Sequence, residues 1–230
     1  GVLYLAIILL GLFGEVFVRG TLVVSGDAAA TAARIEASQL LWRAGLVGDL
    51  LMHLCDVPVI VVFYLLLRPV SESVALFATL INLVQTAVLA ANKLNLLVPL
   101  FLLEGSPYLK AFTPEQLQTL SYLAIKAHGY GFGIGLLFFG VACLARGYLM
   151  FRCGYLPRAL GVLIFVAGVS YLVNSLALLL APTLASLMFP AVLMPAFAGE
   201  LLLSLWLLAK GVDVARWDAR LQPGSGPHHT

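Results

Sequence analysis

The sequence contains very little charge. Asp, Glu, Lys and Arg make up 10% of its 230 residues, whereas 62% of the residues are hydrophobic and the mean hydropathy is +1.03. A soluble domain carries roughly a quarter charged residues, and a disordered chain is poor in hydrophobic ones. The composition therefore excludes both classes and indicates an integral membrane protein.

Alternation of polar and apolar residues, which a membrane β-barrel requires, is also missing. The apolar runs are continuous instead, and several reach the ~20 residues that an α-helix needs to cross a bilayer. In lipid, such a run satisfies its backbone groups only as a helix. The sequence therefore predicts an all-α, polytopic membrane helix bundle with about six transmembrane helices, in one domain over residues 1–221 that is followed by a disordered tail over 222–230.

Cysteine is scarce as well, and no two of the three cysteines have the spacing of a metal clip, so a disulfide framework is not expected. The net charge is only +2 and the basic residues are scattered, which excludes a nucleic-acid-binding patch. The partners that remain are the lipid bilayer, a lipid or small-molecule ligand, and another membrane protein or a second copy of the chain. Glu15 and Arg19 close the first apolar run, which favours a retained helix over a signal-peptide core.

The ends of the predicted helices are marked by capping and turn residues. Asp27 is a good N-cap for a short interfacial helix over residues 28–43. Thr113 and Gln116 form a capping box with Pro114 in the first helical position. Pro99 is expected to kink the segment 94–103 or to turn it back into the membrane. The spans are predicted at residues 2–18, 44–67, 74 to beyond 92, 114–146, 159–180 and 191–209.

Lysine and arginine near the span ends predict the orientation, because cytoplasmic loops carry an excess of them. The side that contains the C-terminus has seven such residues, among them Arg68 and Arg146, and the opposite side has five. This bias predicts that both termini are cytoplasmic and that residues 19–43 and 104–126 lie outside. Lys93 falls within a span, and two placements stay open for its side chain: at membrane depth, or extended outward to the interface.

Polar residues inside the spans are the main functional signal, because charge at membrane depth is costly and marks a site by default. Counting ~1.5 Å of rise per residue from the cytoplasmic basic residues places most of them in the outer half of the bilayer. This asymmetry predicts a polar cavity that is closed on the cytoplasmic side and reachable from outside. The residues expected to line it are Asp49, His53, Asp56, Asn92, His128, Asn174 and Glu200.

Helical spacing supports this convergence. Asp49, His53 and Asp56 are spaced i, i+4 and i+7, so they share one helix face. His128 is followed by glycines at positions 129, 131, 133 and 135, and such small residues let neighbouring helices pack closely. Glu15 and Arg19, four residues apart, are expected to form an ion pair at the membrane interface.

Three kinds of function remain open for these polar residues. Binding of a small ligand, a lipid head group or a divalent metal is favoured, and the candidate metal ligands are His53, His128, Asp49, Asp56 and Glu200. A haem held between the two histidines is disfavoured, because it needs facing imidazoles at matched depth. A membrane-embedded enzyme is a weaker alternative, since no nucleophile–base pair is evident. In the third kind of function, the protein is an accessory or scaffold subunit and the same polar groups only join its helices.

Six short stretches also carry a family resemblance. They are FGEVFVR at Phe13–Arg19, GDAAATA at 26–32, LCDV at 54–57, LRPV at 67–70, HGYGF at 128–132 and LPR at 156–158. In this order they resemble the bacterial membrane proteins grouped as domain-of-unknown-function family 4386. The resemblance implies a bacterial six-helix membrane protein, and hence the cytoplasmic membrane, but it implies no activity.

Overall fold

The computed structural model describes residues 1–221, which are almost entirely helical and contain no strand. The tail predicted over 222–230 lies outside the described residues. Two short 3₁₀ turns, Pro107–Ala111 and Ala191–Leu193, accompany the helices. The helices are α1 (Val2–Leu22), α2 (Ala28–Ala37), α3 (Gln39–Leu67), α4 (Glu72–Asn92), α5 (Leu94–Leu103), α6 (Pro114–Cys153), α7 (Arg158–Leu180), α8 (Pro182–Met188), α9 (Met194–Ala209) and α10 (Val214–Leu221).

Six segments are long and apolar enough to cross a membrane: α1, α3, α4 with α5, α6, α7, and the 3₁₀ turn with α9. Large apolar side chains such as Leu54, Leu80 and Leu123 are exposed along these segments. Such a surface is unfavourable in water and suits a lipid environment. The chain is therefore a multi-pass helical membrane protein, which confirms the predicted fold class.

Helix capping follows the sequence closely. The Asp27 carboxylate accepts a 2.8 Å hydrogen bond from the Ala30 N–H at the start of α2. At the start of α6, the Thr113 N–H donates to the Gln116 side chain at 2.9 Å, and the Gln116 N–H donates back to the Thr113 hydroxyl at 3.3 Å. Both predicted caps are confirmed, because each satisfies backbone groups that a helix start leaves without partners.

Several predicted boundaries are wrong. Helix α3 begins at Gln39 rather than at residue 44, since only a single non-helical residue, Ser38, separates it from α2. Helix α6 continues past Arg146 to Cys153. Arg146 does not mark a helix end, because its guanidinium is buried over the Phe63 ring, 4.9 Å from the ring centre. Helices α8 and α10 were not predicted.

Two irregular turns interrupt the regular helices. Within α1, residues Phe13–Arg19 form a π-helix, whose wider i→i+5 turns are frequent at functional sites. Between α4 and α5, the Lys93 N–H bonds the Ala90 carbonyl at 3.2 Å, which is the tighter i→i+3 pattern. Pro99 lies further on, inside α5. Each irregular turn contains a charged residue of the candidate site.

The described chain divides into two compact units. The Asp49 unit comprises Leu3–Val57 and Gln85–Gly135, and the Arg146 unit comprises Gly1–Val2, Pro58–Val84 and the described residues from Leu136 to Leu221. The single-domain assignment of residues 1–221 stays a prediction.

The Asp49 unit has an apolar core in which the indole of Trp42 donates a 2.8 Å hydrogen bond to the Leu96 carbonyl. Its buried members are Val18, Leu22, Ile35, Trp42, Leu46, Leu96 and Leu100. This core joins α1, α2, the start of α3 and α5, and it fixes the elements that carry the charged residues described below.

In the Arg146 unit, glycines bring α6 and α7 into backbone contact. A Cβ atom on Gly147 would lie 2.6 Å from the Phe165 nitrogen, and one on Gly161 would lie 2.5 Å from the Phe151 nitrogen. Any larger side chain at these positions would force the two backbones apart, so glycine sets their separation.

Candidate functional site

A buried carboxylate, Asp49 of α3, lies at the centre of a charge cluster in the Asp49 unit. Arg19 donates to both of its oxygens, through Nη1 to Oδ2 at 2.6 Å and through Nη2 to Oδ1 at 3.4 Å. The ammonium of Lys93 lies 2.9 Å from the same Oδ2. Two cations therefore share one anion, which offsets the cost of removing all three charges from water.

Arg19 connects this buried carboxylate to an exposed one. Its Nε donates to Glu15 at 2.8 Å, and the side chain of Glu15 is 60% exposed whereas that of Arg19 is 11% exposed. Both residues lie in the π-helical turn Phe13–Arg19 of α1. The predicted Glu15–Arg19 ion pair is confirmed, but sequence reasoning missed the second partner of Arg19, since Asp49 comes from another helix.

Lys93 is buried, which favours the placement at membrane depth over extension to the interface. Its Nζ lies 3.2 Å from Nε2 of His128 in α6, in addition to its contact with Asp49. An ammonium group only donates hydrogen bonds, so Nε2 of His128 must be the acceptor and a neutral His128 carries its proton on Nδ1. The paired anion makes the buried position of Lys93 more favourable than an extended one.

His53 lies one turn after Asp49 on α3 and is only 5% exposed. Within residues 1–221, its Nε2 is buried and has no hydrogen-bond partner. The four-residue spacing places the imidazole on the same helix face as Asp49. A buried polar atom without a partner is uncommon and calls for an explanation such as a bound water, ion or ligand.

Asn92, at the end of α4, ties the cluster to α6. Its amide Nδ2 donates to the His128 carbonyl at 2.9 Å, and its Oδ1 accepts from the Asn95 side chain at 2.9 Å. A Cβ atom on Gly131 would overlap the Asn92 amide, and one on Gly14 would overlap the Asp49 carboxylate. Glycines in α1 and α6 thus leave the space that two polar members of the cluster occupy.

The prediction that the glycines of α6 pack closely is confirmed at Gly131 and at Gly135, where an added Cβ would overlap Leu89. It is wrong at Gly129, where an added Cβ would meet no atom within 4 Å and would therefore point into open space. The two tight positions lie four residues apart and share one helix face.

Asp56 also lies on the predicted face of α3, but its carboxylate contacts a residue of α4. The Thr86 hydroxyl donates a short hydrogen bond to its carboxylate. Helical spacing placed Asp56 on the same side as Asp49, but the neighbouring helix provides it with its own partner.

Two of the seven predicted residues, Asn174 and Glu200, belong to the Arg146 unit. The Tyr171 hydroxyl donates to the Glu200 carboxylate at 2.5 Å, and the Tyr171 ring packs against Phe139 with 5.2 Å between ring centres. Asn174 is half-buried on α7. The single pocket that would contain all seven residues stays a prediction.

The metal interpretation gains no support from the arrangement. Within residues 1–221, no three His, Cys, Asp or Glu side chains are grouped so as to hold a metal ion. The candidate ligands were His53, His128, Asp49, Asp56 and Glu200. Arg19 and Lys93 occupy the carboxylate oxygens of Asp49, and Nε2 of His128, which would bind a metal or haem iron, faces the Lys93 ammonium.

Sequence reasoning also missed Arg146 of α6. Arg146 is 6% exposed, and within the described residues its buried Nη2 has no hydrogen-bond partner. The Phe63 ring is its cation–π partner. The sequence prediction treated Arg146 as the end of a span, so its burial inside the helix was not anticipated. The apolar residues that follow it are compatible with a longer helix.

Comparison with known proteins identifies the family. No solved structure matches the chain. A protein of Archaeoglobus fulgidus, described as an uncharacterized protein, is 29% identical over 168 residues, which are 72% of this chain and 83% of the relative. The family described as "Domain of unknown function (DUF4386)" matches residues 1–211, which include all six candidate spans. The chain therefore belongs to the DUF4386 family, as the motif resemblance indicated.

Proposed function

We propose that the charge cluster of Arg19, Asp49, His53, Lys93 and His128 binds a small polar ligand or a lipid head group within the membrane. The observation that carries the proposal is the buried Nε2 of His53, which has no hydrogen-bond partner among residues 1–221. Leaving such a group unsatisfied costs about 1–3 kcal/mol. A ligand that hydrogen-bonds to this nitrogen would remove that cost.

The charge balance supports a ligand with acceptor or anionic groups. Arg19 and Lys93 supply two cations, whereas Asp49 is the buried anion between them and Glu15 is mostly exposed to solvent. The buried part of the cluster therefore has an excess of positive charge. Carboxylate or phosphate oxygens would balance it, and Arg and Lys are the usual residues that bind them.

Binding is favoured over catalysis because the polar atoms of the cluster are committed to one another. The Lys93 ammonium contacts both Asp49 and His128, so it is not a free amine that could act as a nucleophile. The same pairing favours a second candidate function. In a scaffold subunit, the cluster would only hold α1, α3, α4 and α6 of the Asp49 unit together.

A test of the ligand proposal compares His53→Leu with a matched control, Thr86→Val, which removes a polar group bonded to Asp56 instead. Each protein is extracted with its membrane lipids and examined by native mass spectrometry. We expect the wild type and Thr86→Val to retain a bound polar species and His53→Leu to lose it while keeping its melting temperature. A wild type with no bound species, or a His53→Leu variant that retains it, would refute the proposal.

The proposal includes a location in the bacterial cytoplasmic membrane, with the termini in the cytoplasm and the cluster in the outer half. The bias of basic residues between the two sides supports this orientation. A Lys110→Cys variant tests it, because Lys110 is exposed in the turn between α5 and α6. A membrane-impermeant thiol reagent should label it from outside intact cells. Labelling from the cytoplasmic side alone would reverse the orientation.

A further inference from the structure

The end of α6, the start of α7 and the end of α9 are ends of candidate membrane spans, and α10 is attached to the connection between the first two. The Asp213 N–H donates to the Tyr155 carbonyl at 3.1 Å. Arg216 donates to the Gly154 carbonyl at 3.2 Å, and Arg220 donates to the Arg152 carbonyl at 3.0 Å. Three hydrogen bonds therefore hold α10 beside the ends of membrane-spanning helices, which is where a bilayer surface lies.

This region of the Arg146 unit is rich in exposed basic side chains. They form a patch that we call the basic surface, which consists of Arg152, Arg158, Lys210, Arg216 and Arg220. The acidic residues among them are Asp213, which pairs with Arg216 at 3.1 Å, and Asp218. Positive charge is therefore in excess. Each guanidinium has five N–H donors, and the bonds described above leave most of them available.

Helix α10 also has an apolar side that suits a bilayer surface. Val214, Trp217 and Leu221 are spaced i, i+3 and i+7, so they form one stripe. Val214 and Leu221 are exposed to the surroundings. A helix with an apolar stripe, a tryptophan and arginines on its polar side typically lies in the plane of the membrane interface.

We propose that the basic surface binds the phosphate groups of anionic phospholipids in the adjacent leaflet, with α10 lying in the interface. The charge excess is complementary to an anionic head group, and arginine binds phosphate oxygens through paired N–H donors. The position beside the span ends selects a lipid over a soluble anion. This inference is independent of the Asp49 cluster, which belongs to the other unit.

The proposal is tested by titrating the purified full chain with phosphatidylglycerol or with phosphatidylcholine in detergent, and by counting bound lipids by native mass spectrometry. We expect tighter binding of phosphatidylglycerol, and a loss of that preference when salt screens the charges. Removing basic residues near an anionic lipid should weaken binding roughly fivefold per residue.

Two double variants separate lipid binding from the attachment of α10. Arg216→Gln with Arg220→Gln removes charge and two of the attaching hydrogen bonds. Arg152→Gln with Arg158→Gln removes charge and the cation–π contacts with Tyr148 and Phe151, but none of the attaching hydrogen bonds. Both should lose the phosphatidylglycerol preference by roughly tenfold or more. The control, Arg34→Gln with Arg43→Gln, changes two exposed arginines of the Asp49 unit and should keep it. The proposal is overturned if the wild type shows no preference, if Arg152→Gln with Arg158→Gln retains it, or if the control loses it equally.

Discussion

Replacing Asp49 with asparagine would leave two buried cations without their shared counter-charge. Nη1 of Arg19 and Nζ of Lys93 lie 2.6 Å and 2.9 Å from the same carboxylate oxygen, so their separation is held short by the anion between them. In the variant, the two positive charges would face each other across a neutral amide. Arg19 would keep Glu15, but Lys93 would keep only a neutral imidazole.

Removing one partner of a buried ion pair costs about 3–5 kcal/mol. We expect a loss of this size for Asp49→Asn, which corresponds to a melting temperature lower by about 6–20 °C for a chain of this length. Adding Lys93→Met should recover about half of the loss or more, because the second cation is then gone and Arg19 still has Glu15. The double variant is thus predicted to be more stable than the single one, a coupling that neighbouring charges should show.

Thermal unfolding of the detergent-solubilised proteins, followed by intrinsic fluorescence, compares the wild type with Asp49→Asn, Lys93→Met and the double variant under one set of conditions. Asp218→Asn, which neutralises an exposed carboxylate, serves as the control and should change the free energy of unfolding by no more than about 0.5 kcal/mol. If the effects of Asp49→Asn and Lys93→Met on the free energy of unfolding simply add, Arg19 and Lys93 do not share the Asp49 carboxylate and the proposed electrostatics is wrong.

Three further predictions concern packing, burial and capping. Gly131→Leu should lower the free energy of unfolding by about 1–3 kcal/mol or more, because its side chain would overlap the Asn92 amide. Gly129→Ala, which meets open space, should be neutral or slightly stabilising in the same thermal assay; equal losses would contradict this packing. Arg146→Met should unfold at the same temperature as the wild type or higher, because it removes a buried charge that has no ion-pair partner among the described residues. A large drop in the melting temperature would show that a bound group compensates the charge. Asp27→Ala should cost about 1 kcal/mol by loss of the cap, and an unchanged chemical-denaturation midpoint would argue that α2 does not need it.

The spans could be predicted because their signal is local: each is a continuous apolar run whose length matches the bilayer. The caps at Asp27 and Thr113 are local too, since donor and acceptor lie three residues apart. The end of α6 was mispredicted because it depends on a distant residue. Arg146 stays within the helix interior where Phe63, from another helix, covers its guanidinium.

The candidate site could be predicted only in part, for the same reason. The shared face of Asp49 and His53 follows from helical spacing alone. Spacing does not reveal which neighbouring helix each side chain meets, so the partners Arg19 and Lys93 of Asp49 were missed, and so was the bond between Thr86 and Asp56. The placement of Lys93 was left open because an isolated lysine favours the interface, whereas a buried anion reverses that preference.

The π-helical turn of α1 gives this helix one place where its length can change by a residue. One residue of an α-helix accounts for about 100° of rotation, and a π-helical turn holds an additional residue without breaking the helix. Deleting a single residue between Phe13 and Arg19 would let an ordinary α-helix form there. The residues before the deletion, including the buried Tyr4, would then keep nearly the same rotation relative to Arg19, whereas a deletion elsewhere in α1 would rotate them by about 100°. Among related sequences, a one-residue deletion should therefore be tolerated better between Phe13 and Arg19 than elsewhere in α1.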